Sequence, residues 1–587
     1  MRPSRRGLLL LALAALLVAS MPVSPQAPAA PPVIVGVAPV FGAGPLDFQE
    51  FEVPGDSAAE PTIGIPWDTD SVFYYPSSTG GALTDPDALA MHTMRARFDA
   101  TGTPTWAQVD PQYQVPINLD PMLVADPDTG RIFAGGLLGP CSSMVYSDDD
   151  GETWLPTINM CSGEDFDHQS IGLGPPAGPL PSPEGTHIGY YCGQGGTVSC
   201  ARSLDQGTTW GPFQQVPGSC GGFHGHIRVS TLTGFAAVPT ASCGSHSGYI
   251  STADGGLTWQ SHEVEASAEW SNGFDPSVQF SRPSGWMYYG MASEHGVYMA
   301  LSKDEGATWE PLGAGMGVEP TSWLDVGQFH DPPVVSGVFT NVQTGDDDRV
   351  ALSFLGLEAG PGADLKFLRS NEIYQCDDRQ DQLVWNAYVA LSYDAGSTWT
   401  VQKASADPVQ VGGIFDSVVD SQSGACRNLL DFNDMDIDST GRMHVGLADG
   451  CTRKCAETGT PPAQGQTLDG YRDAAPRLLR QVGGKGLFKE FDTVDPRPDL
   501  DGDGTVDAED TDLDGDGIPN SQDRDVDGDG VDDGEDPDVD GDGIVDAQDP
   551  SVAIPEYTKP AAAQESPGLP LAALLVAMLS LAVWRRR

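Results

Sequence analysis

The chain has 587 residues, and 83 acidic against 30 basic side chains give it a formal net charge of −53. A chain this acidic repels nucleic acid and anionic membrane surfaces, which excludes both as binding partners. The 71 glycines and 48 prolines, with few sustained helical periods, indicate an all-β, turn-rich body. The sequence has neither a phosphate-binding loop nor a dinucleotide-binding glycine pattern, which largely excludes the intracellular nucleotide enzymes.

Residues 1–27 are predicted to be a secretory signal peptide. Arginines near the N-terminus precede the apolar run Gly7–Ala19, and a basic start followed by about a dozen apolar residues is typical of such peptides. The rest of the chain is therefore expected outside the cell. Ten cysteines suit this oxidising location, and none lies in a zinc-type Cys-x-x-Cys pair, so disulfides are predicted.

Residues 569–587 are predicted to hold the protein at the membrane. Their apolar run Leu571–Trp584 ends in three arginines, which favour the cytoplasmic side. With Ser566–Leu569 in front, the segment resembles the archaeal PGF-type sorting tails, which are cut and replaced by a lipid anchor, although Leu569 stands where that family has Phe. A plain membrane helix is the alternative. Residues 551–568 form a linker in either case.

One motif occurs five times, with the pattern Ser/Thr-x-Asp-x-Gly-x-Thr-Trp. Its Asp can accept hydrogen bonds from turn amides, its Gly tolerates positive φ, and its Trp supplies apolar area for packing between sheets. The copies resemble the Asp-boxes, or BNR repeats, of sialidases and related β-propellers. The resemblance covers residues 55–490 and implies the fold but not a function, because Asp-boxes lie on non-catalytic turns. The copies are Ser147–Trp154, Ser203–Trp210, Thr252–Trp259, Ser302–Trp309 and Ser392–Trp399.

A second repeat predicts the number of blades. Seven short segments place an acidic residue or His before an apolar strand, and each is interpreted as the innermost strand of one blade. Seven blades are therefore predicted, with six as the alternative. Residues 28–54 form an N-terminal extension in which 33–37 or 48–53 is a candidate strand for closing the propeller. The seven segments are Glu60–Ile63, Asp120–Leu123, Asp167–Ile171, His224–Ile227, Asp275–Val278, Asp331–Val334 and Asp434–Ile437.

The starts of these inner strands are expected to form a polar ring at one mouth of the central channel, on the face opposite the Asp-boxes. The long insertion 356–385 is expected to overhang the same mouth. Bridges there would hold its loops, and the predicted cysteine pairs are 141–161, 192–200, 220–243, 376–426 and 451–455. The candidate residues for catalysis or binding are Glu60, Asp120, Asp167, His168, His224, His226, Arg228, Asp275, His330, Asp331 and Asp434.

Clustered carboxylates and imidazoles at a channel mouth suit either a divalent metal or an acid–base pair acting on a glycoside. Alternatively, the acidic residues cap amides of the preceding loops. His224 and His226 alternate with Arg228 on one side of a strand and form the best local cluster. The sialidase resemblance would imply a clamp of three arginines, the first in an Arg-Ile-Pro motif. The matching stretch here is Gly64–Pro66, so ordinary sialidase activity is not expected.

Residues 491–550 contain four 13-residue units with oxygen ligands at positions 1, 3, 5, 9 and 12 and Gly at position 6, the spacing of an EF-hand loop. One residue between loops leaves no room for flanking helices, and the segment resembles thrombospondin type 3 repeats. That resemblance implies bound calcium, although the cysteines of the family are missing and position 12 is Asp rather than Glu. A solvated acidic linker is the alternative. The predicted calcium ligands are Asp499, Asp501, Asp503, Asp507, Asp510, Asp512, Asp514, Asp516, Asn520, Asp523, Asp525, Asp527, Asp529, Asp533, Asp536, Asp538, Asp540, Asp542, Asp546 and Asp549.

The sequence thus predicts an all-β, seven-bladed propeller followed by an irregular calcium-binding stalk and a C-terminal membrane helix. The protein is expected on the extracellular face, anchored to the cell membrane, with a glycan or a cell-surface protein bound at the disulfide-stapled mouth. A glycoside hydrolase or lyase of non-sialidase specificity is one alternative, and a structural envelope component is another. Calcium is the only cofactor predicted.

Overall fold

The computed structural model of the chain describes residues 45–492 except for 56–57, 78–91, 112–118, 139–140, 158–159, 162–166, 179–185, 195–196, 217, 219, 265–274, 314–320, 375–382, 415–428, 430–431, 453–454 and 456–473. Beyond 492 it describes residues 513–514, 518–520, 522–528, 531 and 539. Contacts within the chain separate one unit, residues 1–39 with 49–480, from a second, residues 40–48 with 481–587. The predicted signal peptide and C-terminal segment lie outside the described residues.

The regular secondary structure of the described residues is almost entirely β-strand, which confirms the predicted all-β fold class. The strands of the first half are β1 (Asp47–Glu52), β2 (Ala59–Gly64), β3 (Val72–Ser77), β4 (Met94–Phe98), β5 (Pro104–Gln108), β6 (Leu119–Ala125), β7 (Ile132–Leu138), β8 (Cys141–Ser147), β9 (Leu155–Pro156), β10 (Met160–Cys161), β11 (Asp167–Gly174), β12 (Ile188–Gln194), β13 (Val198–Ser203), β14 (Gln214–Gln215), β15 (Cys220–His224) and β16 (Arg228–Val229). Those of the second half are β17 (Ala236–Cys243), β18 (His246–Thr252), β19 (Gln260–Glu263), β20 (Ser277–Phe280), β21 (Met287–Ser293), β22 (Gly296–Ser302), β23 (Leu324–Asp325), β24 (Val334–Thr344), β25 (Val350–Glu358), β26 (Val384–Ser392), β27 (Thr400–Lys403), β28 (Gln410–Val411), β29 (Asp434–Ile437), β30 (Met443–Asp449) and β31 (Ala475–Gly483).

The strands form seven sheets, which are the blades of a β-propeller. The blades are β2–β5, β6–β10, β11–β14, β15–β19, β20–β23, β24–β28 and β29–β31 with β1. The innermost strands β2, β6, β11, β16, β20, β24 and β29 each contact the next, and β29 contacts β2. This unbroken circle of contacts confirms seven blades and excludes the six-bladed alternative.

The seventh blade is completed from the other end of the chain. Its order from the channel outward is β29, β30, β31 and β1, so an N-terminal strand forms its outer edge. The candidate segment 48–53 overlaps this strand. The N-terminal strand thus pairs with the last strand of the propeller in one sheet, and this pairing closes the ring of blades.

The five Asp-boxes lie in the turns between the third and fourth strands of blades 2 to 6, each with the same hydrogen bonds. In the first, the Asp149 carboxylate accepts from the Thr153 amide at 2.8 Å and from the Thr153 hydroxyl at 2.6 Å. Ser147 Oγ accepts from the amide of Gly151, which has a φ of 77°. In blade 1, Asp99 makes a reduced version of this turn, accepting from the amides of Thr101 and Thr103.

Aromatic and branched side chains fill the spaces between adjacent blades. Tyr288 of blade 5 is buried in one cluster with Phe354 and Tyr388 of blade 6. The Asp-box Trp259 contacts Tyr190 of the preceding blade edge-on, with ring centroids 5.9 Å apart. The hydrophobic interfaces between neighbouring sheets therefore hold the blades at their angle around the channel.

Helical segments are few and short in the described residues. One α-helical turn, α1 (Leu365–Leu368), lies in the insertion between the second and third strands of blade 6. The 3-10 turns are Val326–Phe329, Asn371–Tyr374 and Lys489–Phe491. Within the described ranges no helix has the length and apolar character needed to cross a membrane.

Candidate functional site

Seven equivalent positions surround one mouth of the channel. Glu60, Asp120 and His168 have positive φ angles of 44°, 46° and 50°, and each lies in a bulge where the pairing register of its inner strand shifts. Phe339 has a φ of 58° in the same bulge of blade 6. A local bulge re-aims side chains and interrupts regular pairing, so this feature sets the shape of the mouth.

A repeated hydrogen bond between neighbouring blades identifies the remaining positions. Two residues after the bulge, a side-chain oxygen accepts from an inner-strand amide of the next blade. Ser170 Oγ accepts from Ile227 at 3.0 Å, Ser277 Oγ from Val342 at 3.0 Å and Asp434 Oδ2 from Ile63 at 3.1 Å. The mouth ring defined by this pattern is Glu60, Asp120, His168, His224, Asp275, Phe339 and Phe432.

Sequence reasoning placed Asp331 and Asp434 on the ring, whereas the structure places phenylalanines there. Strand β24 has eleven residues, and the bulge at Phe339 lies well inside it rather than at its polar start. Asp331 is exposed, eight residues before the ring position. Asp434 lies two residues past the ring position, where it binds the neighbouring blade. A polar residue at the start of a strand is therefore an unreliable marker of register when inner strands differ in length.

His330 also lies away from the polar ring residues. Its ring packs edge-on against Tyr388, with centroids 5.1 Å apart, and its Nδ1 is 2.7 Å from the carbonyl oxygen of Pro332. These contacts belong to blade 6 and account for the orientation of the His330 ring without a ligand.

Four acidic and imidazole side chains form a network across the mouth. His168 Nδ1 lies 3.0 Å from Asp275 Oδ2, and the His168 amide donates to Asp120 Oδ2 at 3.4 Å. Burial alone would raise the pKa of Asp167, but a hydrogen bond with the Asp120 carboxyl and the charge of His168 outweigh it and hold the pKa below its usual value. A hydrogen bond between two carboxyl groups needs one proton, so this pair offers both a donor and an acceptor oxygen.

His224 is the most deeply buried polar member of the ring, with 1% of its surface exposed. Its Nδ1 lies 3.0 Å from the carbonyl oxygen of Gly225, which requires the proton on Nδ1. Desolvation lowers the pKa of His224 to about 4, so the ring is neutral and Nε2 carries a bare lone pair. That Nε2 has no hydrogen-bond partner in the part of the chain that the structure describes. The imidazole is 6.3 Å from that of His168, between ring centroids.

His226 and Phe432 separate the mouth from the interior of the channel. They come from blades 4 and 7, and their rings meet edge-on with centroids 5.5 Å apart. Burial is the main cause that lowers the pKa of His226 to about 3, so this contact involves a neutral imidazole. Further along the same strands, a cavity of about 120 Å³ is lined by Arg228, Asp434 and Asp436.

The buried carboxylates of that cavity have structural partners. Asp434 accepts from the amides of Ile63 and Met435, and Asp436 accepts from those of Ile65 and Ile437. Burial raises their pKa values to about 6 and about 7, opposed by the charge of Arg228. Asp434 therefore matches the alternative interpretation, in which an acidic residue caps backbone amides. Arg228 belongs to the cavity and not to the mouth ring.

A second polar group, which sequence reasoning missed, lies at the Asp-box end of the channel. Asp126, Asp128 and His187 are the one cluster in the described ranges whose side chains are spaced for a metal ion. Arg282 already supplies a cation, 2.8 Å from Asp128 and stacked 4.0 Å over the ring of Trp67. Burial alone would lower the pKa of His187, but the Asp126 hydrogen bond and nearby carboxylates raise it. The Asp126-x-Asp128 spacing before a Gly turn was the available signal.

Three predicted disulfides are present, Cys192–Cys200, Cys220–Cys243 and Cys451–Cys455. Cys141 and Cys161 lie directly opposite each other in the paired strands β8 and β10. Cys376 and Cys426 lie outside the described residues. The bridge Cys192–Cys200 joins the second and third strands of blade 3. The bridge Cys220–Cys243 joins the first and second strands of blade 4.

In the acidic repeat, the structure describes several of the residues that the sequence predicts as calcium ligands. Asn520 and Asp523 are each only 7% exposed. Asn520 Oδ1 accepts from the Leu513 amide at 2.7 Å, and Asp523 Oδ1 accepts from the Asp525 amide at 3.1 Å. A Cβ at Gly528 would lie 2.7 Å from Asp514 Oδ2, so two units approach closely at this glycine.

No protein-family model matches the chain, and no curated protein does. Similar solved structures include a Hadza microbial sialidase, with 15% identity over 51% of this chain and 63% of that chain and a TM-score of 0.33. The Aleuria aurantia lectin AAL, in complex with Fucalpha1-6GlcNAc, has 10% identity over 62% and 99% of the two chains and a TM-score of 0.35. NanB has 11% identity over 73% and 69%, with a TM-score of 0.33.

The chain thus spans less than two thirds of the sialidase's length. Similarity at this level carries no argument about ligand or reaction, which depend on the site itself.

Proposed function

We propose that the protein binds a glycan at the mouth ring. The supporting observation is the buried His224 Nε2, which has no hydrogen-bond partner among the described residues, beside the network of Asp120, Asp167, His168 and Asp275. Buried polar atoms are normally hydrogen-bonded, so an unpaired acceptor favours a ligand that supplies a donor. Sugar hydroxyls supply such donors.

The test is binding of the full-length chain to a glycan array, followed by calorimetric titration of the best ligand. His224→Phe keeps the size of the ring and removes the acceptor, so affinity is expected to fall about tenfold, or about 1.4 kcal/mol. His262→Phe in the same blade is the matched control, because His262 lies in the outer strand β19, three strands away from β15, where it stacks on Tyr249. Equal affinity in wild type and His224→Phe would argue against the site.

A glycoside hydrolase is the second candidate, favoured by the carboxyl groups at the mouth, which are the hydrogen-bonded pair of Asp120 and Asp167 together with Asp275. Glycosidases hold their two carboxyl groups about 5–9.5 Å apart, further than a direct hydrogen bond allows. This pair therefore cannot flank a glycosidic bond, and a hydrolase would need Asp275 as one partner. Release of reducing sugar from an array ligand, lost in Asp275→Asn, would support hydrolysis over binding alone.

We further propose that the acidic repeat binds calcium and stiffens a stalk between the propeller and the membrane. Calcium would neutralise a segment with 22 acidic residues and one arginine between 499 and 549. Asp514→Asn with Asp527→Asn is expected to remove bound ions in calorimetric titration of the full chain with calcium. Asp148→Asn with Asp407→Asn, two exposed carboxylates on the propeller, is the control of equal charge. An unchanged number of ions in the stalk variant would contradict the assignment.

Secretion and anchoring complete the proposal and rest on the sequence of residues 1–27 and 569–587. Cell fractionation with external protease is the direct test. Digestion of the propeller on intact cells, with recovery of the chain in the membrane fraction, is the expected result. A structural envelope role would instead give a protein that fractionates with the envelope and binds no array ligand.

A further inference from the structure

A second ring of equivalent positions lies inside the channel, four residues after the mouth ring. In blades 5, 6 and 7 the side chain at this level bonds to the next blade. Gln279 Nε2 donates to Gln343 Oε1 at 3.0 Å, and Gln343 Nε2 donates to the carbonyl oxygen of Met435 at 2.7 Å. Asp436 Oδ2 accepts from the Ile65 amide at 2.9 Å. These side chains are therefore structural links along one side of the channel wall.

Arg228 occupies this level in blade 4 and departs from the pattern. Its half-buried side chain lines the cavity of about 120 Å³, but its guanidinium forms no hydrogen bond or ion pair with another residue in the described part of the chain. Burial raises the pKa values of Asp434 and Asp436, and the charge of Arg228 opposes this from a distance too long for an ion pair. Polar groups inside a protein are normally hydrogen-bonded, so a guanidinium with five N–H donors and no partner favours a ligand.

The other charged side chains that line the cavity have contacting partners. Arg282 lies 2.8 Å from Asp128, and Nδ1 of His187 lies 2.7 Å from Asp126. The two carboxylates of blade 7 each accept from two backbone amides. Among the residues that the structure describes at this cavity, Arg228 therefore carries the one charge without a contacting partner.

The side of the cavity next to Arg228 is rich in hydrogen-bond donors. A side-chain amide has two N–H groups, and Gln279 and Gln343 each use one of them in the bonds between blades. On the opposite blades, 2 and 3, the partly buried Val124 and Leu173 line the cavity with apolar surface. Donors with one unpaired positive charge, facing apolar side chains, suit an anion that has an apolar part.

We propose that the channel cavity binds a small monocarboxylate, with its carboxylate on Arg228 and its short apolar chain against Val124 and Leu173. The planar fork of a guanidinium matches the two oxygens of a carboxylate, and one guanidinium balances one negative charge. A cavity of about 120 Å³ holds several water molecules or a molecule of a few carbon atoms. The contact between His226 and Phe432 separates this site from the mouth ring, so it does not depend on the proposed glycan binding.

The probes are butyrate, its neutral isostere butyramide and the cation butylammonium, each titrated calorimetrically into the full-length chain. At about pH 6 butyrate is ionised, while Asp436, whose pKa burial raises to about 7, is mainly protonated and does not repel it. Butyrate is expected to bind at least about tenfold more tightly than butyramide, and butylammonium not measurably. Equal binding of the acid and the amide, or tighter binding of butylammonium, would overturn the proposal. If none of the three binds, the cavity holds water only and the proposal fails.

Three variants test whether Arg228 is the anchor. Arg228→Gln is expected to weaken butyrate binding about tenfold and to leave butyramide binding unchanged. Arg228→Lys keeps the charge without the planar fork and should give an intermediate affinity, which decides the question if the glutamine variant does not fold. Arg202→Gln is the matched control, because Arg202 donates to the Gly255 carbonyl oxygen and does not line the cavity. Unchanged butyrate affinity in both Arg228 variants would show that the guanidinium holds no ligand.

Discussion

The Nδ1 of His168 in blade 3 lies 3.0 Å from Oδ2 of Asp275 in blade 5, so one contact joins two inner strands that are not neighbours. The two side chains are 4% and 13% exposed. Their pairing passes in front of blade 4, where the imidazole of His224 is buried beside them. The mouth of the propeller is therefore a connected polar network and not a ring of independent loop ends.

Removing the acceptor of this contact is expected to destabilise the propeller. Asp275→Ala leaves the buried His168 nitrogen without its partner, at a cost of about 1–3 kcal/mol in the free energy of unfolding. Asp275→Asn restores an acceptor oxygen, and most of the loss should be recovered. Urea denaturation of both variants measures the difference, and equal losses would show that the hydrogen bond is not the cause.

The buried carboxylates of the seventh blade should make stability depend on pH. Burial raises the pKa of Asp436 to about 7, against 3.8 for the group in the unfolded chain, so between these values the folded state binds more protons. Its contribution to the free energy of unfolding therefore falls as pH rises from about 4 to 7. Asp436→Asn removes this term, so the stability of wild type relative to the variant should decrease across that window.

The comparison with Asp436→Asn is needed because other groups act in the opposite sense. Burial lowers the pKa of His224 and His444 to about 4, and such histidines lose stability as pH falls below their unfolded value of 6.5. Asp407→Asn, at an exposed carboxylate, is the control variant. Chemical denaturation at several pH values tests both, and a flat difference for Asp436→Asn would contradict the expected titration.

The Asp-box turns are expected to contribute stability through one carboxylate each. Asp304 accepts from the amide and hydroxyl of Thr308 at 2.7 Å, and from the hydroxyl of Ser302 at 2.9 Å. Asp304→Ala removes all three acceptor contacts, and a loss of about 1–2 kcal/mol is expected. Asp407→Ala should change the free energy of unfolding by less than about 0.5 kcal/mol. Thermal unfolding of the two variants distinguishes a structural turn from surface charge.

Closure of the ring should depend on Arg477. This side chain of β31 pairs with Glu50 and Glu52 of β1 at 3.2 and 3.0 Å, and with Asp449 of β30 at 3.4 Å. Arg477→Met leaves those carboxylates together without a cation, and a loss of about 2–3 kcal/mol is expected.

Hydrogen exchange should show where that loss falls. Protection of β1 is expected to drop more than that of β29 and β30, because β1 is the outer strand held by the ion pairs. Lys303→Met, which breaks an exposed pair with Glu310 at 3.5 Å, is the control and should have little effect. Uniform loss of protection throughout the seventh blade would show that Arg477 does not act through β1.

Local repeats made the fold predictable. An Asp-box is a turn whose hydrogen bonds form among residues at most four positions apart, as between Asp149 and Thr153, so its geometry can be read directly from the chain. The bridges Cys192–Cys200 and Cys220–Cys243 likewise join strands that follow each other closely in sequence. Blade count, blade order and these pairings follow from such local patterns.

The composition of the mouth depends on register between strands that are distant in sequence. Asp331 precedes the inner strand β24, and Phe339 lies at the bulge within it. Only the hydrogen bond between blades, from the Val342 amide to Ser277 Oγ, shows that Phe339 occupies the ring position. The sequence by itself therefore determined a seven-bladed Asp-box propeller with acidic and histidine residues at its inner strands. Only the tertiary structure decided which of these side chains contact one another. Each bulge adds a residue to an inner strand and so shifts its pairing register, and the local sequence pattern does not show where the bulge lies.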